Sequence, residues 1–317
     1  MFEIIKFCCG LGILLFSTRK LLDFAEAASH VFKISPLVIG ITIVAIGTSL
    51  PELALSTVSV VRGDAGLAMG NVIGSNIVNI LLVFSVAIFM GKLKIGSTKT
   101  QYSALILLCA TVIFILALVF GQVNQFMGVM LLILGIAVTV VEYRFAVQGR
   151  TNEDAHHFQL ANRTMKFREL MIVPIFLAGI IVSGIIIVDA VEHISQMTGI
   201  STTVLGMTLT AIATSLPELL TTILSQRNNQ EKITTGNIIG SNIYNLLLIG
   251  GVISIFSHAS SVQVKDWFWL LFVTFLFVFI LRFYKGRKPP IYIGILLLII
   301  LFFYFLTQQY NFLPSSL

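Results

Sequence analysis

Charge is what this 317-residue chain has least of. Lys, Arg, Asp and Glu make up 11% of it and hydrophobic residues 57%, whereas a soluble domain carries about 25% charged residues. That shortage excludes a water-soluble globule and makes the chain an integral membrane protein. Long polar stretches are missing too, so any core is a bundle of spanning helices. The three cysteines, Cys8, Cys9 and Cys109, lie in apolar runs without metal-type spacing and read as small buried hydrophobes. The five histidines (His30, His156, His157, His193 and His258) fall outside the apolar runs or at their edges, and no aspartate pair lies inside one. An intramembrane enzyme therefore lacks its usual nucleophile and base.

What is present is apolar length. Ten runs approach spanning length, near 4–22, 37–61, 67–90, 103–120, 124–141, 170–188, 203–226, 233–256, 267–283 and 290–308; a span takes about 20 residues. The first could pass for a secretory signal. The chain repeats itself, however, with Glu52 falling on Glu218. At the same offset the opening stretch falls on Arg168 to Ser183, the start of an internal run, so residues 4–22 read as a true first span. Lys and Arg divide unevenly between the two sides: one holds only Lys6, Arg62 and Lys265, the other the remaining 17 of 20. By the positive-inside rule the richer side is cytoplasmic and both termini are outside. Topology accounts for the basic excess, so nothing calls for nucleic acid or an obligate protein partner; the lipid bilayer is the expected surround.

Two blocks occur twice, both at that one offset. Gly40 to Glu52 (GITIVAIGTSLPE) matches Gly206 to Glu218 (GMTLTAIATSLPE) at 9 of 13 positions, and Gly70 to Asn79 (GNVIGSNIVN) matches Gly236 to Asn245 (GNIIGSNIYN) at 8 of 10. Asp23, Glu26 and Ser29 likewise match Asp189, Glu192 and Ser195; these acids read as solvated helix ends. Each half then holds five spans, and an odd number makes the repeat inverted, the signature of secondary transporters with a site at the repeat interface. The expected fold is all-α: ten transmembrane helices as two inverted five-helix repeats, with interrupted helices 2, 3, 7 and 8 around a central ion site. The halves are residues 1–141 and 170–317, joined by a polar cytoplasmic linker, 142–169, too short for a regulatory domain.

The first block carries the chemistry. A carboxylate near the bilayer centre costs about 2.5–3.5 kcal/mol on insertion scales, so Glu52 and Glu218 are functional candidates. Pro51 and Pro217 each lack an N–H and clash with the carbonyl four residues earlier, at Gly47 and Ala213; in lipid a freed carbonyl needs a polar cavity. Thr48, Ser49 and Glu52 share one helical face, as do Thr214, Ser215 and Glu218. These are hard oxygen ligands, suited to calcium, sodium or magnesium rather than zinc or copper. Ser75 with Asn79, and Ser241 with Asn245, add neutral oxygens one helical turn apart. Gly70 and Gly74, with Gly236 and Gly240, form small faces for close helix approach. Asn71, Asn76, Asn237 and Asn242 read as helix–helix hydrogen-bonding residues.

The paired GTSLPE/ATSLPE and GNxxGSNxxN blocks resemble the two alpha-repeats of the sodium/calcium exchanger family, among the cation/calcium antiporters, and the resemblance covers the whole chain. It implies alternating-access antiport in the cell's inner (plasma) membrane, sodium entering and calcium leaving, with no cofactor and no regulatory domain of the animal type. By the same resemblance, Glu52 and Glu218 would bind calcium and, alternately, sodium, and Thr48 and Thr214 would complete the calcium shell. Ser49, Ser75, Ser215 and Ser241, with the carbonyls of Ala45 and Ala211, would line flanking sodium positions. Asn79 matches the family's asparagine, whereas Asn245 stands where some members carry aspartate. Two carboxylates make the empty site formally −2, which one calcium neutralises. A proton-coupled exchanger for calcium or another divalent cation is the nearest alternative, since two buried glutamates could bind protons. The hydroxyl-rich surroundings favour sodium. A passive channel is the other class, disfavoured by the inverted repeat.

Overall fold

The computed structural model describes residues 2–31, 45–96, 98–119, 124–148, 167–227, 231–256 and 264–309. Among these, every regular element is helical, as a chain that must satisfy its backbone inside lipid requires. The helices are α1 (Phe2–Val31), the single turn α2 (Ala45–Thr48), α3 (Leu50–Val61), α4 (Ala65–Val78), α5 (Phe84–Phe89), α6 (Thr98–Val119), α7 (Gln125–Gln148) and α8 (Phe167–Thr198). Then come α9 (Thr202–Leu205), α10 (Ala211–Thr214), α11 (Leu216–Arg227), α12 (Glu231–Tyr244), α13 (Gly250–Phe256), α14 (Val264–Phe283) and α15 (Ile291–Gln309). Three π turns, Asn79–Val83, Gly206–Thr210 and Asn245–Ile249, join α4 to α5, α9 to α10 and α12 to α13 without a break.

Eight helices among the described residues are long and apolar enough to cross a membrane. Ala65–Phe89 and Ile233–Phe256 are the innermost, each with 83% of its apolar stretch buried, against 22% for Gln125–Glu142. So the two helices carrying the GNxxGSNxxN blocks form the centre of the bundle, and the core packs around them through Ile73, Ile77, Leu246 and Phe277. The run at 37–61 begins among residues outside the described set and continues as α2 and α3. The outward faces are apolar, with Phe268, Phe275, Phe279, Phe302 and Phe303 exposed.

Two readings need correction. Cys8, Cys9 and Cys109 are exposed on the outer surface; a helix facing lipid has no need to hide a small apolar side chain, so apolar context alone does not locate it. Asp189 and Glu192 are not merely solvated: Arg62 Nη1 lies 3.7 Å from Asp189 Oδ1 and 3.6 Å from Glu192 Oε2, and Lys6 also pairs with Asp189. Partly exposed pairs of this kind contribute up to about 1 kcal/mol each, enough to tie α1, the α3–α4 turn and α8 together at one end. At that turn Gly63 takes φ +87°, a conformation open to glycine. The Asp64 side chain then caps α4 by accepting from the Leu67 N–H at 2.8 Å.

The opposite end is basic. Lys92 Nζ donates to the Arg227 carbonyl at 3.4 Å, Lys288 Nζ to the Gly91 carbonyl at 3.0 Å and Lys285 Nζ to Thr98 Oγ1 at 3.2 Å. The backbones of Ile95, Gly286 and Arg287 bond one another there.

Candidate cation site

Both proline motifs bend the chain in the same way. The helix is interrupted at Ser49 (φ −83°, ψ 3°) and again at Ser215 (φ −78°, ψ 2°), the sparsely populated bridge region where active residues often sit. The carbonyls of Ala45 and Ala211 accept from the Ser49 and Ser215 N–H groups at 3.2 and 3.1 Å, and Ala45 also accepts from Thr48 Oγ1 at 3.2 Å. The helices with the second block are not broken, as the sequence suggested they would be. They carry π turns beginning at Asn79 and Asn245, where the N–H groups of Phe84 and Gly250 reach five residues back. One extra residue in a turn shifts helical phase by about 100°, so Asn79 and Asn245 stand where the pattern of facing residues changes.

The halves interlock around the motifs. Thr48 Oγ1 lies 3.2 Å from both Asn237 Oδ1 and Ser241 Oγ. Thr214 Oγ1 lies 3.3 Å from Asn71 Oδ1 and 3.2 Å from Ser75 Oγ. Every residue of the second set is the repeat counterpart of one in the first, the reciprocity that a two-fold relation produces. Asn71 Oδ1 also accepts from Thr210 Oγ1 at 3.0 Å. Asn71 and Asn237 thus fasten helices together, as their sequence positions suggested. A threonine hydroxyl that donates its proton to an asparagine oxygen keeps its lone pairs for a cation.

Glu52 and Glu218 are fully buried, and none of their four carboxylate oxygens has a hydrogen-bond partner. Ser49 Oγ, Ser215 Oγ and the side-chain amides of Asn79 and Asn245 are likewise buried and unpartnered. The Glu52 carboxylate is within electrostatic reach of Glu218 and of the Thr214 and Ser215 hydroxyls, and Glu218 of Thr48, Ser49 and Ser241. Each acid is therefore surrounded mainly by the other half of the chain. Two like charges this deeply buried repel strongly. A cation between them reverses the sign of that interaction and gives the orphaned oxygens a partner. Hydroxyl, amide and carboxylate oxygens without sulfur or imidazole fit a hard cation. Among the described residues no group of three or more His, Cys, Asp or Glu is placed to hold a metal ion, so the charge of this site rests on two glutamates.

A statistical model of the family described as sodium/calcium exchanger protein matches residues 2–144 and 169–310. The chain belongs to that family. Its members are exchangers, transporters rather than enzymes. Sodium/calcium exchanger MaX1 of Methanosarcina acetivorans is 27% identical over 287 residues, covering 77% of this chain and 81% of its own. Inner membrane protein YrbG of Escherichia coli is 29% identical over 299 residues, 91% of each chain. The structure is similar to that of the sodium-calcium exchanger NCX_Mj, solved after soaking with sodium and calcium: TM-score 0.66, 29% identity, 95% of this chain and 96% of that one.

Absent from the sequence reading were the π turns and the bond from Tyr304 Oη to the Met207 carbonyl at 3.2 Å. The latter pins α15 to the π turn that leads into the second motif. Composition gives no sign of a π turn, because its residues are as apolar as their neighbours.

Proposed function

We propose that this chain is a secondary antiporter that exchanges sodium for calcium across the cell's inner membrane by alternating access, calcium leaving as sodium enters. The observation that carries it is the pair of fully buried glutamates, with all four carboxylate oxygens unpartnered and hydroxyls of the opposite half around each. In this reading Glu52 and Glu218 take one calcium, helped by Thr48 and Thr214. Sodium ions use the same carboxylates together with Ser49, Ser75, Ser215, Ser241, Asn79, Asn245 and the carbonyls of Ala45 and Ala211. A site of formal charge −2 is neutralised by one calcium or by two sodium ions, so the two substrates compete for it.

The scaffold in this proposal is ten spans in two inverted halves, 1–141 and 170–317, with residues 142–169 on the cytoplasmic side and both termini outside. The reciprocal Thr48–Ser241 and Thr214–Ser75 contacts support a site on the axis between the halves. There, exchanging the two halves' conformations would change which side of the membrane the ions meet.

The test is calcium uptake into sodium-loaded vesicles diluted into sodium-free buffer, with a pH gradient in place of the sodium gradient as the second arm. Uptake that needs internal sodium is the expected result. Uptake driven equally well by the pH gradient alone would replace sodium by protons as the coupling ion at the same two glutamates.

A further inference from the structure

The two halves differ along the helix that leads away from each glutamate. On α11, Glu218, Thr222 and Gln226 follow one another at four-residue steps, which puts them on one face, and all three are fully buried. Their repeat counterparts on α3 are Glu52, Ser56 and Val60.

In the first half this stripe is closed. Ser56 Oγ accepts from Asn71 Nδ2 at 3.1 Å and donates to the Ala68 carbonyl at 3.4 Å, and Val60 ends the stripe with hydrocarbon. In the second half it is open. Thr222 Oγ1 and Gln226 Oε1 are buried without a partner, and so is Nδ2 of Asn237, the counterpart of Asn71. Gln226 is nevertheless fixed in place, because its Nε2 donates to Thr234 Oγ1 at 3.0 Å, where the first half has Ala68. The next residue is Arg227, whose carbonyl binds Lys92 at the basic end of the bundle. A line of unpartnered neutral oxygens thus runs from the Glu218 carboxylate toward that end, whereas beyond Glu52 the one matching oxygen, on Ser56, is already bonded.

We propose that Thr222 and Gln226 form a cation relay, Thr222 Oγ1 and Gln226 Oε1 being successive oxygen ligands for sodium or calcium between Glu218 and the basic face. It rests on the antiport reading above. Steps of four residues on a helix are about 6 Å apart, a short hop for an ion that exchanges one partial oxygen shell for the next. Neutral oxygens suit transit, since passage requires binding strong enough to admit the ion and weak enough to release it. A carboxylate at either position would hold the ion, and a side chain such as Val60 would offer it nothing. The relay therefore serves one face of the membrane only, the basic one.

Thr222→Val tests this with little structural cost. The side chains have the same shape, and the hydroxyl removed has no hydrogen-bond partner to leave behind, so melting should be no lower than in the wild type. The expected result is sodium-driven calcium uptake slowed about tenfold at saturating ions, with equilibrium calcium binding in detergent unchanged within about twofold. Thr222→Ser should recover most of the rate, and Gln226→Leu should slow exchange without loss of calcium binding. Wild-type rates in both Thr222→Val and Gln226→Leu overturn the relay while leaving the antiport reading intact. Loss of calcium binding in step with rate also overturns it, by making these residues part of the central site. If the wild-type protein shows no sodium-driven calcium flux in the same vesicles, the antiport reading falls and the relay with it.

Discussion

Glu52→Gln and Glu218→Gln should each abolish sodium-driven calcium uptake. Glutamine keeps the size of the side chain and one of its oxygens, but takes a unit of negative charge from a site that has two. It also turns an amide N–H toward the position where a cation must sit. Truncating one partner of a buried charge pair costs about 2–5 kcal/mol of binding, at least about thirtyfold in affinity. Neither variant should be less stable than wild type, because an amide is cheaper to bury than a carboxylate and the change relieves the repulsion between two buried acids. Radioactive calcium uptake and a thermal melt on the same preparation separate these effects. A variant that keeps even a tenth of the wild-type flux would show that its glutamate is not a ligand of the transported ion. The two variants should fail alike, since each acid is served by hydroxyls from the opposite half.

The second large effect is expected at a position with no chemistry of its own. A Cβ added at Gly74 would lie 2.7 Å from Met207 Cα, from the Met207 carbonyl oxygen and from Ala211 Cβ. Two of those atoms are backbone and cannot turn aside. Facing it, a Cβ on Gly206 would come within 2.8 Å of the Leu67 carbonyl oxygen, so the crossing of α4 with the Gly206–Thr210 turn is tight from both sides. Overpacking of this kind costs about 1–3 kcal/mol for a methyl group, or a fall in melting temperature of about 2–5 °C for Gly74→Ala in a chain of this length. Gly74→Val should yield no monodisperse protein at all. Gly12→Ala is the control, for a Cβ there meets nothing within 4 Å. Equal melting of the Gly74→Ala and Gly12→Ala proteins would disprove the tight crossing.

Much of the site could be read from the chain because the same words occur twice. A carboxylate, two hydroxyls and a proline inside one apolar run invite several explanations; the same group recurring in the second half removes most of them. The helical class was equally plain, since long apolar runs leave the backbone no other way to bond. The residues that meet across the halves were harder to see. Nothing in the order of residues says that Thr48 will face Asn237 and Ser241 rather than the asparagine and serine of its own half, because that depends on how helices from two halves pack. The π turns at Asn79 and Asn245 were invisible for a related reason: they answer to packing at the centre of the bundle, not to the propensities of Asn, Ile and Leu. The cysteines were misplaced because in lipid the usual link between apolar and buried fails. Gln226 was legible only in retrospect, as the polar residue that the repeat replaces with Val60.

The exchange of partners between halves has a consequence for ancestry. If the chain arose by doubling of a shorter gene, the single-length product already carried a glutamate, a threonine and a serine in the right order, but only part of the surroundings of its own acid. The hydroxyls around Glu52 come from the second copy, and those around Glu218 come mainly from the first, with Ser241 added by its own. On that origin one copy alone held only a fragment of the cage, and two copies together were needed to complete it. On the same origin, joining the copies frees them to diverge, and the valine at position 60 opposite the glutamine at position 226 fits that freedom.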